Sequence, residues 1–124
     1  MSMLCFGCLS TPDNIKEYVE GETFTFKTTE SILLLHSSPK VKQLATALEN
    51  FGFQLIFKNG HVQPYVKLND KYGPLNPYNV IGKDSLVIIE KNVKIARLTL
   101  YKNDLLLYIP QISNENPIGL LVKE

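Results

Sequence analysis

SILLLHSSPKVKQLATALENFGFQLIFKNGHVQPYVKL, residues 31–68, decides how this chain is read, because its local signals agree on one order of elements: strand, helix, strand, turn, strand. Ile32, Leu33, Leu34 and Leu35 form an apolar run too short for a helix, which predicts a strand covered on both faces. Ser38 is an N-cap residue, and Pro39 has its φ already set for the first helical position. Val41, Leu44, Ala45, Leu48 and Phe51 recur at spacings of three and four, with Lys40, Lys42, Gln43 and Glu49 on the other face. Gly52 is the stop signal, so a helix is predicted over about 39–50. Beyond it Phe53, Leu55 and Phe57 alternate with Gln54, Ile56 and Lys58, and Asn59-Gly60 suits a two-residue hairpin turn. That turn sets Lys58 opposite His61, Phe57 opposite Val62 and Phe53 opposite Val66, gathering the apolar side chains under the helix.

Upstream, Thr11-Pro12-Asp13 opens a short helix over about 12–20, with Ile15, Tyr18 and Val19 on one face and Gly21 as its end. Phe24 and Phe26 alternate with threonines in a half-buried strand. Downstream, residues 69–84 have no usable period and are dense in turn formers, which predicts a long loop. The C-terminal third returns to strands at Ser85–Glu90, Val93–Tyr101 and Leu105–Ile109, the last stopped by Pro110. Within the middle one the apolar phase slips near Ile95, as a β-bulge would make it. Ile118, Leu120 and Val122 alternate as a last strand at an exposed edge. The expectation is an α+β domain. Its mostly antiparallel, curled sheet has six to eight strands, with the 39–50 helix packed on one face and a right-handed crossover joining Ile32–Leu35 to Phe53–Lys58.

The length of 124 residues and a 44% apolar composition fit a single compact domain over 1–124. A formal charge of +1 requires no nucleic acid, membrane surface or polyanion, although residues 1–38 sum to −3 and the rest to +4. Arg97 is the lone arginine, so the basic surface consists of lysine point charges rather than planar forks. No apolar run approaches the roughly 20 residues of a membrane span. Met3–Leu9 lacks the positive start of a secretory signal, so a soluble intracellular protein is expected.

Cys5-Phe6-Gly7-Cys8 is the one spacing motif. With His36 and His61 its thiolates would make a four-ligand zinc set, and alone they would make a thiol-redox pair. The serines at 37 and 38 lack a strained elbow, no acids pair for general acid–base work, and no glycine-rich phosphate cradle is present. These absences favour a non-enzymatic protein without a cofactor. Lys58, His61, Tyr65 and Lys67 fall on the outer face of the hairpin, the composition of a single-stranded nucleic-acid platform. Tyr72, Pro74, Leu75, Pro77 and Tyr78 combine aromatic surface with restricted backbone, the composition of a protein-binding hot spot. The leading expectation is a small binding protein of the inhibitor, immunity or accessory-subunit kind. It would hold another protein through the 69–84 loop, or a second copy of itself through the last strand.

Overall fold

The computed structural model describes residues 14–124. In chain order they form α1 (Ile15–Val19), β1 (Thr23–Lys27), α2 (Glu30–Leu33), α3 (Pro39–Asn50), β2 (Phe53–Lys58), β3 (His61–Val66), β4 (Lys71–Tyr72), β5 (Asn76–Ile81), β6 (Ser85–Glu90), β7 (Val93–Tyr101), β8 (Asp104–Tyr108) and β9 (Gly119–Lys123). Eight strands close into one antiparallel barrel, running β1, β2, β3, β5, β6, β7, β8, β9 and back to β1. The two-residue β4 pairs with the far end of β3.

This closure overturns the expected α+β architecture. There is no open curled sheet with a main helix laid on one face. Ile118–Val122, expected at an exposed edge, supplies β9, which hydrogen-bonds to β1 on one side and β8 on the other. Phe24 stands opposite Lys123 and Lys27 opposite Leu120, pairings of distant segments that no local pattern encodes. All strand pairs being antiparallel, the parallel crossover is absent as well.

Ile32–Leu35 is not a strand. Thr29 accepts the Ile32 N–H at 3.2 Å and caps α2, and Glu30 sits favourably in its first turn. Leucine is a good helix former, and Leu34 is 71% exposed, so the run is not a buried strand. Residues 69–84 are not a long loop, since they contain β4 and β5. The Thr11-Pro12 helix start lies outside the described residues; α1 is capped by Asn14, whose side chain accepts the Glu17 N–H at 3.1 Å.

The hairpin has the predicted register, with Lys58 opposite His61 and Phe53 opposite Val66. Asn59 and Gly60 both take positive φ, 53° and 77°, which a twisted two-residue turn requires. The bulge also falls at Ile95, because Ile88 pairs with Ala96 while Ile89 pairs with Lys94.

The two ends of the barrel are closed differently. At one end α1 serves as a plug: Ile15 and Val19 are fully buried, and the Ile15 N–H donates to the Lys83 carbonyl in the β5–β6 turn. Above α1 a chain of rings fills the interior, with centroids 5.6 Å apart for Tyr18 and Phe24, 5.7 Å for Phe24 and Phe57, and 5.5 Å for Phe57 and Tyr78. The last two contacts are edge-to-face, the arrangement that ring quadrupoles favour. At the other end α3 turns Ala45, Val41 and Leu48 toward the core.

Glu20 fastens the plug to the wall. The Tyr78 hydroxyl donates to Glu20 Oε2 at 2.6 Å, and the Gly60 N–H lies 3.2 Å from both carboxylate oxygens. The Tyr78 hydrogen bond above all holds the Glu20 carboxyl below its ordinary 4.5, while burial and then the same bond push the Tyr78 phenol up. A carboxyl lowered by folding stabilises fully above its unfolded-state pKa, and that stabilisation is lost as pH falls through the folded value. Glu20→Gln should therefore remove about 1 kcal/mol at neutral pH and flatten the decline in stability below pH 4.5. Urea midpoints across pH 3 to 7 check this, and an unchanged acid slope would show that Glu20 plays no part in it.

Candidate ligand-binding cavity

Under α3 the barrel is not filled. A cavity of about 240 Å³ lies between the helix and the aromatic floor. Leu44 and Leu48 of α3 form its roof. Phe53 and Leu55 of β2 with Val62 and Pro64 of β3 form one wall, each inward by strand alternation. The opposite wall comes from Ile88, Ile95 and Ala96. The bulge matters here, because an extra residue in β7 lets the consecutive Ile95 and Ala96 both line the interior. Ala96 is short and Pro64 compact, so this layer cannot meet across the barrel as the rings do in the layer next to α1.

One lining side chain is polar. Asn76 begins β5, pairs with Val62 and faces inward, in phase with Tyr78. It is 9% exposed, and among the described residues no hydrogen bond ends on its carboxamide. Its amide is not sealed off either, since no fully enclosed side-chain N or O among the described residues lacks a partner. Asn76 is the polar member of the cavity lining among the described residues.

The roof is strapped down. The ring Nε2 of His36, in the α2–α3 link, lies 2.8 Å from the Pro117 carbonyl, and Asn116 Nδ2 donates to the Leu35 carbonyl at 3.3 Å. Both contacts hold the helical segment to the β8–β9 connection. Leu44 is 40% exposed while lining the cavity, so the cavity reaches solvent beside α3.

Of the residues singled out from sequence, Tyr72, Pro74, Leu75 and Pro77 are exposed along β4 and the start of β5. Tyr78 does not join them, because it is buried in the aromatic floor. Lys58, His61 and Tyr65 do share the outer face of the hairpin, as their register requires. The Tyr65 ring already packs against Tyr72, tilted by 38° with centroids 4.5 Å apart, and its hydroxyl donates to Asp70 Oδ1 at 2.7 Å, which raises the phenol's pKa. A ring so engaged, beside a carboxylate, is a poor platform for a base next to its phosphates. Lys67 lies against Gly52 instead. His36 sits by the α3 end and His61 beside the turn at the α1 end, so the two do not converge on one ion. Cys5 and Cys8 lie outside the described residues, among which no cluster of three metal-ligating side chains occurs.

Sequence reasoning missed the cavity. The one sign of it was the phase slip at Ile95, which marks the wall without revealing the space. Among the described residues no helix is long and apolar enough to cross a membrane. Comparison of the chain with protein-family models, curated proteins and solved structures finds no match.

Proposed function

We propose that the protein binds a small, largely apolar molecule inside the barrel, beneath α3. The observation that carries this reading is the 240 Å³ cavity, walled by side chains of α3, β2, β3 and β5 to β8. Protein interiors are packed to crystal density, and voids much larger than a water are few. An apolar cavity of about 150 Å³ stays dry and takes up benzene, so this one has room for about ten non-hydrogen atoms. Closed eight-stranded barrels are of the width that holds one small ligand.

Indole, neutral and with nine non-hydrogen atoms, is a suitable first probe. Titrated into labelled protein, it should shift the amide signals of Ile88, Ala96 and Leu107 saturably. Ala96→Phe, which grows a ring into the void, should abolish those shifts while leaving stability unchanged or raised by about 1 kcal/mol. Shifts that are absent, or that survive in the folded Ala96→Phe protein, would overturn the reading.

A second reading, contact with a partner protein, is favoured by the exposure of Tyr72 at 60% and Leu75 at 57%. Its simplest form is self-association, for which sedimentation velocity is the test. A dimer dispersed by Tyr72→Ser with Leu75→Ser would support it, and a monomer at all concentrations would remove that form.

A further inference from the structure

Resting on the cavity reading, we infer that the ligand is a neutral molecule with a single hydrogen-bonding group, an alcohol, ketone or amide on a hydrocarbon body, held by Asn76, and that carboxylates are excluded. A carboxamide offers two donors and one acceptor, so it can meet a hydroxyl or a carbonyl equally well. Asn76 is 9% exposed as a residue and lines the cavity, and among the described residues no hydrogen bond ends on its carboxamide. A ligand that fills the cavity without pairing with this group would leave it unpaired at a cost, and a ligand head that pairs with it avoids that cost.

The charge argument is independent. Among the described residues, none that lines the cavity is cationic or anionic. His36, the other buried polar residue among those described, is turned to the Pro117 carbonyl. Arg97 is engaged on the outer wall, where Nη2 donates to the Asn114 carbonyl at 2.8 Å, Nη1 donates to Thr99 Oγ1 at 3.1 Å, and the guanidinium lies 3.9 Å from the centre of the Tyr108 ring. A carboxylate entering the cavity would lose its hydration and find no counter-charge. One amide can orient a neutral head but cannot stabilise a buried anion.

The test is calorimetric titration of the protein at pH 7.5 with 1-octanol, 2-octanone, octanoate and heptane. Octanol and octanone should bind at least roughly tenfold more tightly than octanoate, the discrimination expected when a charged group is buried without a partner. Asn76→Leu should weaken octanol and octanone roughly tenfold while leaving heptane unchanged, so heptane also reports that the variant is folded. Asn76→Ser is the second variant, with a hydroxyl in place of the amide and an intermediate loss expected. Octanoate binding as tightly as octanol, or octanol binding unaltered in both Asn76 variants, would overturn the inference and leave the cavity reading standing. If heptane and octanol both fail to bind the unaltered protein, the cavity reading itself fails.

Discussion

Replacing Phe57 by alanine is expected to cost about 3 to 5 kcal/mol of folding stability, the range for removing a large ring from a core that cannot collapse around the gap. Phe57 is 1% exposed and packs edge-to-face on both Phe24 and Tyr78. Those neighbours cannot close in easily. Tyr78 is tethered through its hydroxyl to Glu20, and Phe24 lies in β1 with strands paired on both sides. A small domain has about 5 to 15 kcal/mol in total, so the loss is a large share of the stability. Urea denaturation at fixed pH measures the loss. A cost below about 1 kcal/mol would mean that the floor rearranges freely and does not bound the cavity above it.

Gly119→Ala is expected to cost about 3 kcal/mol by overpacking. Gly119 opens β9 opposite Leu107, and a Cβ there would collide with the Phe26 ring and come within 2.7 Å of the Lys27 carbonyl oxygen. Phe26 is fully buried and packs against Phe53 at a centroid separation of 6.4 Å. Strands β1 and β9 would have to part where they join. Phe26→Leu added to Gly119→Ala should therefore restore part of the loss, a non-additivity that only direct contact produces. Purely additive costs would place the damage elsewhere.

What could be read from the residues was whatever a few neighbours decide. Asn59-Gly60 dictates its turn through the sign of φ, and with the turn comes the register of six residue pairs. Pro39 at the start and Gly52 at a φ of 71° bracket α3 by the same kind of local chemistry, although Ser38 makes no side-chain cap bond there, and the bulge at Ile95 shows as a slip in alternation. Ile32–Leu35 misled because four apolar residues have no period, so that only the cap at Thr29 separates helix from strand. Asn76 was hidden for a different reason. In Leu75-Asn76-Pro77 its neighbours give it the chemistry of a turn, whereas in the fold it alternates inward with Tyr78. Alternation in β5 is a matter of which residues face in, and their hydrophobicity does not follow it. Barrel closure had no local signature at all.

The joint between β1 and β9 also has a bearing on time. It joins residues as much as 101 positions apart, the Glu124 N–H donating to the Thr23 carbonyl at 2.9 Å across it. Contacts so distant in sequence are slow to form, because loop entropy is lost before any pairing compensates for it. During synthesis, which runs from the N-terminus, every other strand is made before β9 emerges. For that interval β1 and β8 each present a bare edge of unpaired N–H and C=O groups, the surface on which chains pair with one another. The strand that shuts the barrel therefore also ends the period in which the nascent chain is most open to aggregation.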